Sequence, residues 1–344
     1  MFYYHKLEEV IFNFHEILSE EPDELIIISG FLGPSPVERL SKLPFKTKVI
    51  GGMYTRGIDA RLIGALKNAQ VSNPNLNILF STIEVHSKIY IWRKNKKILS
   101  ALIGSANFSS KGLRTDFRES LAHANRGTFD IMQKYLEEIE ANAILEPSLL
   151  SNQKVIDYKK DKLKTIDELE VKFSSELPLY SLSGGQKKVQ PRSGLNWGLS
   201  SGHVAKGDAY IAVPKNILSS NQELFKPFEV EYQNKSNNKK RASEPIELIW
   251  DDGVTMEASF EGKQKGPNGF DYPKQLASYS LKRPYLSDGT RISAKSILGR
   301  YLRNRLGVDI EHEITYDDLQ KYGRDNIEIH LIEDGLYYCD FSIT

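Results

Sequence analysis

Three short, largely apolar runs near the amino terminus constrain the fold more than any other feature of the sequence. They cover residues 25–29, 48–51 and 76–80, and a helical stretch, residues 59–70, separates the second run from the third. Runs of this length that end at glycine or at a turn are typical of strands in a sheet whose two faces are covered by helices. Alternation of such strands with helices predicts an α/β domain.

The residues around these runs extend the prediction. Apolar side chains at helical spacing predict an opening helix over residues 5–20. Two further strands, 85–92 and 98–103, flank the basic turn 93–97, whose length and polarity indicate a hairpin. A helix over residues 128–143 closes the unit.

A second domain is predicted from a change in composition. Residues 151–176 are polar and have no apolar period, which is typical of a linker. After them glycine, asparagine, serine and proline become frequent, and short strands such as 209–213 and 247–250 are separated by turn residues. This texture is typical of a small β-rich domain. We therefore expect one domain at residues 1–150 and another at residues 177–344.

Composition excludes several classes of protein. Of the 344 residues, 40% are hydrophobic and 10% aromatic, too apolar for a disordered chain. Cys339 is the only cysteine, so neither an internal disulfide nor a cysteine-based metal site is expected. The amino terminus has no basic leader, and no apolar run is long enough for a membrane span. We expect a soluble, cytoplasmic protein without a membrane partner.

The residues that carry chemistry lie on the predicted hairpin and just beyond it. His86 and Lys88 are two apart on one strand, so they project from the same face. Ser105 and Asn107 have the same relation at the end of the next strand, and Glu119 follows 12 residues after Asn107. A His-x-Lys pair alone is common by chance, but a Gly-Ser-x-Asn shortly after it is rare.

These groups suit phosphodiester transfer. A neutral imidazole at His86 can attack phosphorus and form a covalent phosphohistidine, which divides one difficult displacement into two easier ones. Lys88 and Asn107 can donate to the non-bridging oxygens where charge develops. Glu119 can accept a hydrogen bond from the other imidazole nitrogen and fix its tautomer, although a carboxylate at a helix start is also common. This chemistry needs no metal ion and no cofactor.

The His-x-Lys pair followed by Gly-Ser-x-Asn resembles the HxK and GSxN signature of the phospholipase D superfamily. The longer motif of that family has an aspartate where this chain has Arg93. The restriction endonuclease branch instead places its acidic residue shortly after the asparagine, where this chain has Glu119. The departure at Arg93 thus favours the restriction endonuclease branch over the lipases.

The resemblance implies an α/β phospholipase-D-like sandwich as the first domain. It assigns His86 as the nucleophile, places Lys88, Ser105 and Asn107 around the phosphate, and gives Glu119 the orienting role. Because the superfamily brings two HxK motifs together and this chain has a single one paired with a GSxN, the resemblance implies a homodimer. The second subunit would then supply the general acid.

A near-neutral net charge conceals two basic segments. The chain carries 46 Lys and Arg against 45 Asp and Glu, but residues 181–308 contain 20 basic and 12 acidic side chains, and residues 309–344 contain 2 and 10. Residues 86–118, around the candidate site, contain 8 and 1. Such segregation favours a polyanionic partner, although any one of these charges can also belong to a solvated face.

The second half resembles that of the NgoFVII-type restriction endonucleases, for example at residues 194–198, 208–214 and 272–275. This resemblance implies a β-rich DNA-binding pseudobarrel of the kind found in plant transcription factors. It places two arms, near residues 192–210 and 260–283, in the major groove of double-stranded DNA. The residues expected to contact DNA are Arg192, Asn196, His203, Lys206, Asp208, Tyr210, Lys263, Gln264, Lys265, Lys274 and Arg283.

Together these observations predict a metal-independent, type II-like restriction endonuclease that works as a homodimer. The resemblance implies that some relatives act with a separate helicase-like ATPase, and no Walker A sequence is present in this chain. Two alternatives stay open. One is a sequence-specific DNA-binding regulator with a silent nuclease domain, and the other is a phospholipase-D-type lipid phosphodiesterase.

Overall fold

The computed structural model describes residues 1–145, 173–221, 223–228, 243–280 and 284–343. The chain divides into two compact units, one within residues 1–164 and the other within residues 165–344. Most of the predicted linker lies outside the described residues. The first strand of the second unit begins at Ser174, within the last residues of that predicted linker.

The first unit is built on one mixed sheet of eight strands. The strands are β1 (Phe2–Tyr3), β2 (Glu24–Ser29), β3 (Lys46–Gly51), β4 (Leu76–Ser81), β5 (Ile89–Lys94), β6 (Lys97–Gly104), β7 (Leu121–His123) and β8 (Ala143–Ile144). Their order is β1-β7-β6-β5-β2-β3-β4-β8. Strands β2, β3 and β4 are parallel and the other pairs are antiparallel. The three apolar runs are therefore neighbouring central strands, as the sequence predicts.

Helices lie on both faces of this sheet. They are α1 (Leu7–Asn13), α2 (Pro34–Arg39), α3 (Ala60–Ser72), α4 (Ser110–Arg114) and α5 (Phe129–Ala141). Helix α5 buries Leu136 against one face, in a cluster that includes Ile26 and Ile91. On the other face Phe12 of α1 stacks on Phe108, with ring centroids 6.4 Å apart. The predicted opening helix is shorter than expected, because α1 ends at Asn13 and a 3-10 turn, Phe14–Ile17, follows.

The predicted hairpin is present, but its first strand begins later than expected. Strand β5 begins at Ile89, whereas the sequence pattern placed the start near residue 85. The chain is extended before Ile89, but the Val85 N–H donates to the carbonyl of Gly52 and so leaves the hairpin ladder. The predicted basic turn is confirmed between β5 and β6, with Asn95 and Lys96 both at positive φ.

The second unit is a seven-stranded, strongly curved sheet with a separate small hairpin. Its strands are β9 (Ser174–Pro178), β10 (Ser181–Ser183), β11 (Gln186–Lys188), β12 (Ile211–Ala212), β13 (Ser243–Trp250), β14 (Thr255–Lys265), β15 (Asp271–Ser278), β16 (Asn326–Glu333) and β17 (Leu336–Asp340). The order is β12-β15-β14-β13-β17-β16-β9, and β10 pairs with β11. The edge strands β12 and β9 also contact each other, so the sheet nearly closes into a barrel.

Among the described residues of the second unit, three helices accompany the curved sheet, and the core of the sheet is aromatic. The helices are α6 (Lys215–Ser220), α7 (Ser296–Leu306) and α8 (Tyr316–Tyr322). Phe260 meets Phe225 and Tyr337 edge-on, at centroid distances of 5.5 and 5.2 Å. Cys339 of β17 is fully buried in this core, and burial raises the pKa of its thiol. Within the described ranges no helix is long and apolar enough to cross a membrane.

Candidate active site

Two of the predicted catalytic side chains meet at the carboxyl end of the central strand β2, above Gly30. A Cβ atom placed on Gly30 would lie 2.6 Å from His86 Cδ2 and 3.2 Å from Asn107 Oδ1. Both side chains therefore rest against the bare backbone of this residue. His86 comes from the extended segment before β5 and Asn107 from the turn after β6. Neighbouring strands thus deliver an imidazole and a carboxamide to one point.

The extended segment before β5 alternates as the spacing predicts. The His86 imidazole is exposed and meets the Phe31 ring edge-on, with centroids 6.1 Å apart. The Lys88 side chain is buried, and its Nζ donates to the backbone carbonyl of His86 at 2.6 Å. The intervening Ser87 turns to the opposite face, where its hydroxyl lies 2.7 Å from that of Tyr135 on α5. Lys88 is therefore held directly beside the nucleophile candidate.

Asn107 is fixed by backbone groups at the end of β2. Its Oδ1 accepts from the Phe31 N–H at 3.3 Å and lies 3.5 Å from Ser29 Oγ. The same Ser29 hydroxyl accepts from the Phe108 N–H at 2.9 Å and donates to the Phe31 carbonyl at 2.6 Å. Because the carboxamide oxygen is occupied, the amino group of Asn107 is the part that a phosphate oxygen can use.

A buried tyrosine supports the turn that carries Asn107. The Tyr90 hydroxyl donates to the Ala106 carbonyl at 2.8 Å, and the Tyr90 side chain is fully buried on the face opposite α5. Sequence reasoning did not assign Ser29, Gly30 or Tyr90 to the site. The one available signal was the glycine that closes the first apolar run, since a glycine at the end of a central strand often marks a close approach of another group.

Ser105 directly follows strand β6, and Glu119 lies two residues before strand β7, with which β6 pairs. The exposed Ser105 accepts from the Ser120 N–H through its hydroxyl, at 3.1 Å, and its own N–H donates to the Ser120 carbonyl at 3.0 Å. Glu119 is half-buried and lies 3.6 Å from Arg118 Nε. In the part of the chain that the structure describes, His86 and Glu119 share no hydrogen bond.

Electrostatics connect Glu119 to the lysine of the site. Burial lowers the pKa of Lys88, and the negative charge of Glu119 partly offsets this by raising it. The same carboxylate adds to the effect of burial in raising the pKa of Tyr90. As the pH rises, the Lys88 ammonium therefore loses its proton earlier than an ordinary lysine would. In this arrangement the charge of Glu119 acts on Lys88.

Replacing Gly30 with alanine is expected to lower the rate of the phosphodiester cleavage that the sequence predicts, without unfolding the protein. The new methyl group overlaps the His86 ring, so the imidazole must move by about 1 Å, a displacement that costs about 10²-fold in rate. Gly64→Ala is the matched control, because a Cβ on Gly64 in α3 meets no atom within 4 Å. Turnover and thermal melting measured together check this expectation. A Gly30→Ala variant with full activity would show that the His86 position is not constrained by this contact.

Two residues that the sequence assigned to DNA are inside the second unit instead. Asn196 is fully buried: its Nδ2 donates to the carbonyls of Gln190 and Ile314, and its Oδ1 accepts from the Ile314 N–H and from Arg303. Asp208 is also buried, and its Oδ2 accepts from the Ala205 N–H at 2.9 Å. Their polar atoms hold loops together, which periodicity in the sequence does not reveal.

The other predicted contacts vary in how accessible they are. Those on the exposed surface are Arg192, His203, Lys206, Lys265 and Lys274, whereas Tyr210, Lys263 and Gln264 are half-buried. Lys206 pairs with Glu311, and Tyr210 packs edge-on against Trp197. The Gln264 amide donates to the Val213 and Pro273 carbonyls, both at 2.7 Å. Arg283 lies outside the described residues.

Several basic side chains of the second unit are bound by hydrogen bonds and ion pairs within that unit. Arg303 is buried, and its guanidinium donates to the carbonyls of Leu195 and His312. Arg305 pairs with Asp251 at 2.8 Å, and Lys295 pairs with Glu261. Within the described ranges, no three side chains of His, Cys, Asp or Glu are grouped closely enough to hold a metal ion.

Two family models match the chain. Residues 5–152 match the NgoFVII restriction endonuclease N-terminal PLD domain, and residues 172–333 match the NgoFVII C-terminal B3-like DNA-binding domain. The comparison with curated proteins found no match.

Solved structures similar to parts of the chain include two small proteins and one larger enzyme. NucT from Helicobacter pylori is 14% identical, with a TM-score of 0.27, over 36% of this chain and 82% of its own. The phospholipase D family member Nuc from Salmonella typhimurium is 13% identical, with a TM-score of 0.26, over 36% and 81%. A mutant of yeast tyrosyl-DNA phosphodiesterase is 16% identical, with a TM-score of 0.23, over 62% and 58%.

Proposed function

This chain belongs to the NgoFVII restriction endonuclease family, and from that premise we propose that it hydrolyses double-stranded DNA at a specific sequence without a metal ion. Its first domain is a PLD-type nuclease domain and its second is a B3-like DNA-binding domain. The observation that carries the proposed chemistry is that His86 and Asn107 meet at the end of β2 while the Lys88 ammonium is held against the backbone of His86.

The proposed reaction has two displacements at phosphorus. In the first, an imidazole nitrogen of His86 forms a P–N bond while the bond from phosphorus to one bridging oxygen breaks, and that oxygen takes a proton from a general acid. In the second, water gives a proton to the group that acted as the acid in the first step and attacks phosphorus, the P–N bond breaks, and the His86 imidazole is released. The Lys88 ammonium and the amino group of Asn107 stabilise the charge on the non-bridging oxygens in both steps.

Ser105 and Glu119 have supporting roles in this proposal. The Ser105 hydroxyl is exposed at the end of β6. It can donate to a phosphate oxygen, because its bond with the Ser120 N–H uses the hydroxyl only as an acceptor. Glu119 keeps Lys88 protonated through its charge and orients His86 once substrate is bound. The Glu119 charge thus opposes the lowering of the Lys88 pKa by burial.

The general acid in this proposal is His86 of the partner subunit in a homodimer. A partly exposed apolar patch at the same end of the sheet, on the face that carries α5, supports a second copy as the partner. Phe2 of β1 lies opposite Ala122 of β7, which lies opposite Ile103 of β6, so the three side chains share one face of the sheet. Phe2 is 62% exposed and Ile103 is 40% exposed. Ser105 follows two residues after Ile103, at the end of this face.

An aspartate at position 103 is expected to produce a monomer that cleaves poorly. The charge on that apolar face opposes burial against a second copy, and loss of the partner's general acid lowers the cleavage rate by about 10²-fold or more. Val71→Asp is the control, because Val71 of α3 is also an apolar β-branched residue on the surface, more exposed than Ile103 and away from this face. Sedimentation velocity and cleavage assays report the two effects. An Ile103→Asp protein that stays dimeric, or a wild-type monomer that cleaves, would exclude this interface.

Incubation of plasmid DNA with the purified protein in EDTA tests the proposed function. Wild-type protein is expected to give discrete fragments in EDTA, and a parallel reaction with Mg²⁺, ATP and a helicase-like ATPase tests whether such a partner is needed. Specific DNA binding without cleavage under either condition would indicate a regulator with a silent nuclease domain instead. Hydrolysis of phospholipid vesicles in a parallel reaction, with intact plasmid, would indicate a lipid phosphodiesterase.

A further inference from the structure

The tip of the β14–β15 hairpin extends beyond its neighbours in the sheet. Pairing of β13 with β14 ends at Glu261, whereas β14 and β15 continue to pair as far as Lys265 opposite Asp271. On the side of β15, the last backbone neighbour among the described residues is Phe228, whose N–H donates to the Asp271 carbonyl. The five residues of the turn, 266–270, therefore project as the end of a two-stranded ribbon.

This turn is held rigidly. The Gly269 N–H donates to the Gly266 carbonyl at 3.1 Å, and the Gly266 N–H donates to the Phe270 carbonyl at 3.0 Å. Asn268 accepts from the Phe270 N–H and donates to the Tyr272 hydroxyl, at 3.1 and 2.9 Å. A Cβ on Gly266 would lie 2.4 Å from the Tyr272 ring, so glycine is required for this packing. The backbone position of Phe270 is thus fixed from both sides.

The Phe270 side chain is 54% exposed at this rigid tip. An exposed phenyl ring contributes little to the stability of this turn, because backbone groups and the Asn268 and Tyr272 side chains make its hydrogen bonds. Its surroundings are basic, since Lys263 and Lys265 share the single carboxylate of Asp271, and Lys274 is exposed on the opposite strand. An apolar ring framed by ammonium groups fits a ligand that combines phosphates with an apolar contact.

We propose that Phe270 recognises the 5-methyl group of a thymine in the major groove of the DNA target. The major groove admits a two-stranded β-ribbon, and thymine is the base that presents a methyl group there. The lysines beside the ring neutralise phosphates at the groove edge. This inference rests on the proposed sequence-specific DNA binding and identifies one residue that determines the specificity.

Selection of bound duplexes from a random-sequence pool tests the proposal, with wild-type protein, Phe270→Ala and Val254→Ala. Val254 is the control because it is exposed at the other end of the hairpin strand, in the turn before β14. We expect Phe270→Ala to lose about four-fold of the preference for thymine at one position, the effect of removing one buried methyl contact, with the other positions unchanged. Val254→Ala should select the wild-type motif.

A change in the DNA provides the second measurement, which does not depend on the folding of any variant. Replacing each thymine of the selected motif by uracil removes only the methyl group, and at one position this should weaken wild-type binding about four-fold and leave Phe270→Ala binding unchanged. The inference is overturned if the motif contains no thymine or if no uracil substitution weakens wild-type binding. It is also overturned if Phe270→Ala weakens all sequences equally, as an inserted wedge would. A wild-type protein that selects no motif would instead refute sequence-specific binding itself.

Discussion

Replacing His86 with alanine is expected to lower DNA cleavage by about 10⁴-fold or more, because removing a covalent nucleophile leaves only the binding and charge-stabilising groups of a site. DNA affinity should change little, since the predicted sequence contacts lie in the other domain. Single-turnover cleavage of a duplex and an electrophoretic mobility shift on the same duplex measure the two quantities. Ser87→Ala is the matched control, because Ser87 adjoins the proposed nucleophile and points to the opposite face, toward Tyr135.

Trapping the proposed covalent intermediate is a more direct test of the same prediction. Rapid acid-free denaturation during turnover of labelled DNA should trap label on wild-type protein through a bond that acid cleaves and alkali does not, as expected for a phosphorus–nitrogen bond. The label should be absent from His86→Ala and present in Ser87→Ala. Efficient cleavage by His86→Ala, or label attached to another residue, would exclude His86 as the nucleophile.

Replacing Asn196 with alanine is expected to destabilise the second domain by about 3 kcal/mol, because the substitution leaves buried groups without hydrogen-bond partners. Asn196 serves both backbone groups of Ile314 and the guanidinium of Arg303, and all of them lie in the interior. Chemical denaturation followed by fluorescence measures the change. Asn304→Ala is the control, since Asn304 is an exposed residue of the same domain in α7.

The same variant decides between two roles for Asn196. If the residue only joins loops, DNA binding by Asn196→Ala should recover at low temperature, where the domain is folded. If Asn196→Ala has wild-type stability but has lost DNA binding, the result would support the prediction from the sequence that Asn196 contacts DNA.

The sequence predicts best those features of the structure that depend on a single strand or segment. The run 25–29 identified a buried strand because burial on both faces favours apolar side chains at successive positions. The alternation of His86 and Ser87 followed from the geometry of an extended chain. The start of β5 was placed too early, since Val85 has the apolar character of a strand residue while its N–H pairs with Gly52.

Features that depend on two distant segments were not accessible from the sequence. The contact between Gly30 and His86 joins residues that are far apart along the chain, and nothing in either local pattern indicates the other. Asn196 looked like a surface amide because polar residues are mostly exposed, and only the loop around Ile314 makes it an interior one. Counting charges likewise found the basic excess but could not show that Arg305 is paired with Asp251.

The burial of Cys339 has a practical consequence for experiments on the hairpin tip. A thiol that is fully buried and whose pKa is raised by burial is almost entirely protonated near neutral pH, so it reacts very slowly with alkylating reagents. The native chain therefore carries no competing reactive group while it is folded. A single cysteine introduced in place of Pro267, an exposed residue of the same turn, would then be the one thiol available for a fluorophore or a DNA cross-linker, with no need to remove the natural thiol.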